Sequence, residues 1–165
     1  MQRITKDLIL RTVTKEDISE IARMWEYPDI ISVEEAYRAL EYMDNTHSKN
    51  RPESICHLCL AVFEKKQPEK IIGWCGLDGE AEPDKTVLFF IIDEAYRKKG
   101  YATQCAVELL KYAFDDMNYS IIYGGCAKEN IASYKVMQKS GMKHTDFYEN
   151  GDYIFSAASD EFLPR

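Results

Sequence analysis

The fold is decided by the segment VLFFIIDEAYRKKGYA, which occupies residues 87 to 102. Its first six residues are all apolar and predict a buried strand. A helix is predicted to follow, because apolar residues recur at positions 102, 105, 106, 109, 110, 113, 114 and 117, with polar residues between them. The segment therefore reads as a strand, a basic turn and a long amphipathic helix.

The turn from Arg97 to Ala102 is a candidate anion site. A helix start presents unpaired N–H groups and the positive end of the helix dipole. Gly100 allows the backbone to come close to a phosphate, and Arg97, Lys98 and Lys99 add positive charge. The loop alone fits a solvated connection equally well. It matches neither a Walker A loop nor a dinucleotide fingerprint.

The remaining periodicity predicts an α+β protein with a mostly antiparallel sheet. A strand over 8–13 precedes a helix that starts near Thr14 and stops before Pro28, and Ser32 begins a second helix that runs to about Met43. A polar loop, Asp44 to Glu53, comes next. The later elements are strands over 58–63, 71–77 and 87–92 in an antiparallel meander, a strand over 120–125, a helix over 130–140, and strands over 144–148 and 153–157 joined at Asn150-Gly151.

Composition indicates an ordinary globular domain over residues 1–165. Lysine and arginine (21) against aspartate and glutamate (28) give a net charge of −7, and 45% of the residues are hydrophobic. The acidic balance and the lack of a basic cluster argue against nucleic acid as a partner. The longest apolar run, Val87 to Ile92, is too short to span a bilayer. We expect a cytoplasmic protein without a membrane anchor, either a monomer or a homodimer.

The cysteines and histidines predict no metal site. The five cysteines, at positions 56, 59, 75, 105 and 126, are odd in number and fit reduced thiols. Cys56 and Cys59 begin a strand, where residues three apart point to opposite faces. The three histidines, His47, His57 and His144, have no partners at ligand spacing.

Two motifs in order carry a family resemblance. The first is Arg97-x-x-Gly100-x-Ala102, and the second is Asn130-x-x-Ser133, followed by Gly141-Met142. Together they resemble the GCN5-related N-acetyltransferase (GNAT) superfamily, and Ile72-Gly73-x-x-Gly76-Leu77 is most similar to its ribosomal-protein N-terminal acetyltransferase branch. The resemblance implies a GNAT fold with about seven strands and four helices, and acetyl-CoA as co-substrate.

The resemblance also implies which residues bind acetyl-CoA. The amides of residues 98 to 103 would hold the pyrophosphate, and the main chain of residues 90 to 92 would pair with the pantetheine arm. Asn130 would contact the cofactor or cap its own helix, and both roles can coexist. The implied binding residues are Phe90, Ile91, Ile92, Arg97, Lys98, Lys99, Gly100, Tyr101, Ala102, Thr103, Asn130 and Ser133.

The catalytic groups are less clearly implied. Many family members carry a tyrosine four residues after Ser133, where this chain has Met137. Tyr134 is the candidate acid, and the alternative is a packed aromatic. Asp78 and Glu80 are candidate bases, with Asp93 and Glu94 as alternatives. The acceptor pocket would be walled by aromatic and acidic side chains, namely Trp25, Glu26, Tyr27, Tyr37, Tyr148 and Tyr153.

The sequence thus predicts an N-acetyltransferase that moves acetyl to a primary amine, on a small molecule or a peptide, by direct attack in a ternary complex. Cys126 is interpreted as a buried side chain rather than a nucleophile. One alternative is a non-catalytic acyl-CoA-binding sensor or interaction domain, which the missing tyrosine leaves open. Another is a nucleotide-binding protein, which would explain the basic turn but leave the Asn130 motif unexplained.

Overall fold

A computed structural model describes residues 1–82 and 84–163, and in this part of the chain eight strands form one sheet with helices on both faces. The strand order is β1-β2-β3-β4-β5-β6-β8-β7. The strands are β1 (Gln2–Ile4), β2 (Leu8–Arg11), β3 (His57–Glu64), β4 (Gln67–Glu82), β5 (Lys85–Ile92), β6 (Ile121–Cys126), β7 (Lys143–Phe147) and β8 (Tyr153–Ala158). The helices are α1 (Ile18–Met24), α2 (Val33–His47), α3 (Tyr101–Lys111) and α4 (Ile131–Lys139).

The predicted mixed α+β fold is confirmed. Strands β1 to β5 form an antiparallel meander, β6 lies parallel to β5, and β7 and β8 form the C-terminal hairpin. The sheet has eight described strands rather than about seven, because β1 pairs with β2. Strand β1 is three residues long and mostly exposed, so it lacks the apolar alternation that predicts a strand.

Each face of the sheet carries its own hydrophobic core. In β3, Leu58, Leu60 and Val62 pack with α3, while Cys59, Ala61 and Phe63 pack with α1 and α2. This alternation follows from the two-residue period of a strand. Both faces of β3 are therefore buried, which explains its continuous apolar run. The face that carries α1 and α2 is called the acceptor face below, and the face that carries α3 and α4 is called the cofactor face.

Three elements differ in length from the prediction. Helix α2 reaches His47, so the first four residues of the expected loop are helical; the buried Thr46 hydroxyl donates to the Tyr42 carbonyl at 2.9 Å. Strand β4 covers Gln67–Glu82 because its polar ends still pair with β3 and β5. The long helix becomes a π-helical turn at Tyr112–Asp116.

No helix in the two described ranges is both long enough and apolar enough to cross a membrane. Residues 83, 164 and 165 lie outside the described part of the chain. The interpretation of residues 1–165 as one domain stays a prediction.

The buried carboxylate of Asp17 ties α1 to the sheet. It accepts bonds from both terminal nitrogens of Arg11, at 2.7 and 2.8 Å, and from the Thr14 amide at 2.8 Å. Burial tends to raise the pKa of Asp17, but the hydrogen bonds from Arg11 and Thr14 outweigh burial, so the pKa lies below its ordinary value. Asp17 therefore stabilises the fold above the unfolded-state pKa, and this contribution is lost as the pH falls through the folded-state pKa.

We expect Asp17→Asn to lower the free energy of unfolding at pH 7 by about 1–3 kcal/mol, since charged hydrogen bonds are lost. The difference from wild type should shrink as the pH falls from 7 to 3, because Asp17 becomes protonated first in the unfolded chain and at lower pH in the folded one. Urea denaturation at both pH values measures this. Asp29→Asn is the matched control, because Asp29 is exposed and its substitution should leave the midpoint unchanged. An equal effect of Asp17→Asn at pH 7 and pH 3 would contradict the assignment.

Candidate active site

Strands β5 and β6 separate after two residue pairs, and this opening is the centre of the site. The pairs are Val87–Tyr123 and Leu88–Gly124. The Asp93 amide donates to the Ile72 carbonyl of β4 at 2.8 Å. Because successive N–H groups of a strand point in opposite directions, those of Ile92 and Phe90 face β6. Beyond Leu88 the two strands no longer pair, so both N–H groups are available to an extended ligand.

A cavity of about 370 Å³ lies in this opening. Side chains from both faces of the sheet line it, so the opening passes through the sheet. Phe89 and Tyr148 approach from the acceptor face, and Ser133 and Met137 approach from α4. The lining residues are Val87, Leu88, Phe89, Phe90, Gly125, Cys126, Ala127, Ser133, Met137, Tyr148 and Asp152.

Helix α3 starts at the turn that the sequence singled out. Gly100 has a φ of +79°, a left-handed conformation that favours glycine. The first helical bond runs from the Gln104 amide to the Gly100 carbonyl at 3.1 Å, which leaves the amides of residues 101 to 103 without an intrahelical partner. A Cβ at Gly100 would meet no protein atom within 4 Å. The space beside the turn is therefore open to a ligand.

The basic side chains of the turn are partly engaged. Arg97 Nε donates to the Ile92 carbonyl at 2.9 Å, which folds Arg97 over the end of β5. Lys99 Nζ lies 3.3 Å from Glu64 Oε1, and the Tyr101 hydroxyl donates to the same carboxylate. This bond raises the pKa of Tyr101 to about 12 and lowers the pKa of Glu64. Glu64 thus fixes the start of α3, while Lys98 has its backbone in the left-handed region.

The second motif brings one predicted binding residue to the cavity. Asn130 caps α4, since its side chain accepts from the Ser133 amide at 3.0 Å, and Ser133 lines the cavity. Met137 lines it as well. Tyr134 faces elsewhere: its ring packs edge-on against Tyr153 and Phe155, at centroid distances of 4.8 and 5.1 Å. The structure does not bring Tyr134 to the cavity.

The two predicted bases lie at the end of β4, on the acceptor side. Asp78 Oδ1 accepts from the amides of Glu80 and Ala81, at 2.8 and 3.0 Å. The Glu80 carboxylate accepts from Cys56 Sγ at 2.9 Å. Asp78 is directly opposite the cavity-lining Val87 in the β4–β5 register. The structure therefore brings Asp78 close to the opening and directs Glu80 toward Cys56.

The alternative bases, Asp93 and Glu94, make hydrogen bonds in the connection that follows β5. Asp93 accepts from the Ala95 amide at 3.0 Å and lies 3.6 Å from Arg23. The Glu94 amide donates to the Tyr27 hydroxyl at 3.0 Å. These contacts position the connection between β5 and the basic turn.

Comparison with known proteins settles the family. The Acetyltransferase (GNAT) domain matches residues 7–143 of the chain. The chain belongs to this family. The uncharacterized N-acetyltransferase YnaD of Bacillus subtilis is 40% identical over 60 residues, which cover 36% of the chain and 35% of YnaD. The matched part thus spans about a third of that relative.

Solved structures agree with the GNAT fold. The ribosomal-protein-S5-alanine acetyltransferase from Vibrio fischeri superposes with a TM-score of 0.79 at 18% identity, covering 99% of this chain and 100% of that chain. RimL, a ribosomal α-N-protein acetyltransferase in complex with coenzyme A, has a TM-score of 0.71 at 16% identity, with 96% and 98% covered. The neighbours include the ribosomal-protein acetyltransferases that the motifs resemble.

The predicted acceptor walls of this GNAT chain separate into two groups. Trp25 and Glu26 line a second, smaller cavity of about 260 Å³ between α1 and α2. Tyr148 lines the main cavity, and its hydroxyl donates to Glu82, which pairs with Lys85 at 2.8 Å. Burial and the bond to Glu82 raise the pKa of Tyr148 to about 12. Tyr37 is half exposed and lies outside both sets of lining residues, as does Tyr153.

The thiols of the GNAT chain are not placed as nucleophiles. All five cysteines are free. Burial raises the pKa of Cys59 to about 12 and also raises the pKa of Cys126, which disfavours the reactive thiolate. Cys126, interpreted from the sequence as a buried side chain, is half buried and lines the cavity. Within residues 1–82 and 84–163, no three potential metal ligands cluster together.

Two groups near the opening escaped the sequence reasoning. Glu82 was hidden because its partner Tyr148 lies 66 residues away. His57 pairs across β3 and β4 with Asp78, whose carboxylate is 3.6 Å from its Nδ1. Strand register brings His57 to Asp78, and packing of the β7–β8 loop against the end of β4 brings Tyr148 to Glu82, so residue spacing shows neither contact.

We expect the Gly100 turn to bind the negatively charged diphosphate of acetyl-CoA, so a negative side chain at residue 100 should weaken binding. At about 100 times its dissociation constant, acetyl-CoA should stabilise wild type by about 2.7 kcal/mol. Asparagine and aspartate both tolerate the left-handed backbone, and they differ chiefly in charge. Gly100→Asp should lose this ligand stabilisation, while Gly100→Asn should keep more of it. Thermal unfolding with and without acetyl-CoA measures the difference, and equal protection of both variants would refute the placement.

Proposed function

We propose that this GNAT chain transfers the acetyl group of acetyl-CoA to a primary amine. The observation that carries the proposal is the opening between β5 and β6, where the N–H groups of Phe90 and Ile92 point away from β4 and Phe90 lines a cavity. The start of α3 supplies further free amides near the carboxyl end of β5. An extended ligand with a thioester at one end and a diphosphate at the other fits both groups of donors.

Acetyl-CoA would supply an activated acetyl group on a thiol leaving group. We propose that the β5 main chain aligns the pantetheine arm as an added strand and that an N–H of Phe90 or Ile92 donates to the thioester carbonyl oxygen. Such a donor stabilises the negative charge that develops during attack, and removing one donor of this kind typically costs about 10²–10³-fold in rate. We propose that the amides of residues 98 to 103 bind the pyrophosphate.

The amine would approach from the acceptor face. Asp78 lies beside the opening, and Glu82, at the end of the same strand, is held by Lys85 and by the Tyr148 hydroxyl. Because an amine is protonated at neutral pH, a carboxylate on this side favours its approach and can accept its proton. The acceptor class is a small amine or a peptide amine.

The departing thiolate needs little help. Met137 occupies the cavity wall where many relatives carry a tyrosine. A free thiol has a pKa of about 8.5, so the thiolate is a tolerable leaving group at neutral pH. Tyr148 remains protonated, because burial and the bond to Glu82 raise its pKa to about 12, so it does not act as the base. We also propose a cytoplasmic location, in which five free thiols stay reduced.

Release of free thiol from acetyl-CoA tests the proposal. Wild type is incubated with acetyl-CoA and a panel of amino-terminal peptides, polyamines and aminoglycosides, and mass spectrometry follows each product. We expect thiol release to match acetylated amine in a one-to-one ratio with at least one acceptor class. Acetyl-CoA binding without turnover on any acceptor would contradict the proposal and indicate a sensor.

Tyr134 provides a second test. We expect Tyr134→Phe to change kcat by less than about two-fold, because the ring packs against Tyr153 and Phe155 rather than into the cavity. Tyr134→Ala should lower the free energy of unfolding by about 2–3 kcal/mol. Steady-state rates and urea denaturation measure the two effects. A loss of about 100-fold in kcat for Tyr134→Phe would instead assign Tyr134 as the acid.

A further inference from the structure

One buried polar atom stands apart from the rest of the described chain. Nδ1 of His57 is the only buried side-chain nitrogen or oxygen in the described residues that has no hydrogen-bond partner. The nearest charged group is Asp78, whose Oδ2 lies 3.6 Å away. Buried polar groups are normally satisfied, so an unsatisfied one calls for an explanation. Here the unsatisfied atom is next to a carboxylate at the candidate active site.

The sheet places this pair in line with the opening. The register pairs His57 of β3 with Asp78 of β4, and Asp78 with Val87 of β5, which lines the cavity. All three side chains are on the acceptor face, because paired residues of neighbouring strands point the same way. Asp78 is the nearer of the two groups to the cavity, and its side chain is 30% exposed. His57 lies behind it and is 13% exposed.

Backbone hydrogen bonds engage one carboxylate oxygen of Asp78 and leave the other free to accept a proton. Oδ1 accepts from the amides of Glu80 and Ala81, which fixes the carboxylate plane. Oδ2 accepts no backbone amide and is the oxygen that faces His57. This oxygen can therefore interact with the acceptor amine and with Nδ1.

Aromatic packing holds the imidazole in place. The His57 ring stacks on Phe89 at a centroid distance of 5.5 Å and an interplanar angle of 16°, and Tyr42 of α2 packs on it at 5.6 Å. Gly76 makes this possible, since a Cβ there would lie 2.6 Å from the Phe89 ring. Phe89 also lines the cavity, so the imidazole is one ring away from the opening.

We propose that Asp78 and His57 form a proton-accepting pair for the acceptor amine. The inference rests on the proposed acetyl transfer. An N–H bond of the bound ammonium breaks first, its proton moves to Asp78 Oδ2, and the carboxyl group passes it to His57 Nδ1. The neutral amine nitrogen then forms a bond to the acetyl carbon as the carbon–sulfur bond breaks, and the second proton that the nitrogen loses passes to the departing sulfur, which gives an amide and a free thiol. His57 is a positioning residue in this scheme, because it acts through Asp78.

The imidazole allows the pair to hold a proton near neutral pH, which a carboxylate alone does poorly. Near neutral pH an imidazole holds a proton more tightly than a carboxylate does. Tyr42 of α2 packs on the imidazole, and His47 of α2 interacts electrostatically with it. The titratable groups that act on Tyr42 are Asp78 and Glu80 of β4, Cys56, which precedes β3, and Cys59 of β3. Nε2 of His47 accepts from the Cys59 amide at 2.9 Å, and burial lowers the pKa of His47, so both the hydrogen bond and burial disfavour proton uptake by His47. His57 is therefore the one of these two histidines that can take the proton from the amine.

The test compares His57→Gln with wild type over a range of pH, using the best acceptor from the amine panel. Glutamine keeps a hydrogen-bonding group but cannot take the proton. We expect kcat at pH 7 to fall about 10- to 100-fold, with the KM for acetyl-CoA unchanged. The deficit should shrink as the pH rises toward about 9, because more of the amine then arrives uncharged. A rate within about two-fold of wild type at every pH would overturn the pair.

Asp78→Asn and the double variant test whether the two residues act as a unit. The Asp78→Asn loss should be at least as large as that of His57→Gln, and the double variant should be no slower than Asp78→Asn alone. Losses that multiply would show independent roles and overturn the inference. His144→Gln is the matched control, since His144 lies on β7 and outside the cavity, and it should leave the pH profile unchanged.

Folding and binding are checked in the same series. Acetyl-CoA should raise the unfolding temperature of each variant as it does that of wild type, and His57→Asn provides a second substitution if His57→Gln unfolds. A wild type that acetylates no amine would reject the proposed function itself. A wild type that transfers acetyl, with His57→Gln and His57→Asn unaffected, would reject only the pair.

Discussion

The structure depends on one place where backbone hydrogen bonding stops. Strands β5 and β6 pair at Val87–Tyr123 and Leu88–Gly124 and then separate, although both continue. An unpaired backbone donor in a protein interior is costly. A ligand that accepts hydrogen bonds from the Phe90 and Ile92 N–H groups offsets this cost. The same separation admits a cavity that reaches both faces of the sheet, so two ligands can meet in it from opposite sides.

Side chains from distant elements define the two ends of this opening. On the cofactor face, α4 presents Ser133 and Met137, and the start of α3 offers free amides at the carboxyl end of β5. On the acceptor face, the β7–β8 loop presents Tyr148, whose ring would lie 3.1 Å from a Cβ at residue 125. Gly125 is thus what allows the aromatic ring to approach β6. The pairing of Tyr148 with Glu82 connects the C-terminal hairpin to the turn between β4 and β5.

Much of the fold could be predicted from local pattern. The meander, the amphipathic α3 and the hairpin at Asn150-Gly151 all follow from periodicity and turn residues, and the structure confirms them. Strand β1 escaped because pairing with β2, rather than its own composition, makes it a strand. The turn at Gly100 could be predicted because a helix start and a left-handed glycine are local features. The contacts of His57 with Asp78 and of Tyr148 with Glu82 could not, since they depend on register and on hairpin packing across the sheet.

Amide hydrogen exchange at β5 tests the central claim most directly, because it reads the individual N–H groups. The amides of Phe89 and Ile91 point toward β4, where the register gives them strand partners, whereas those of Phe90 and Ile92 face the opening. We predict that Phe90 and Ile92 exchange faster than Phe89 and Ile91 in the free protein, and that saturating acetyl-CoA slows exchange at Phe90 and Ile92 by more than about ten-fold. Unchanged exchange at Phe90 and Ile92 with acetyl-CoA bound would contradict the account.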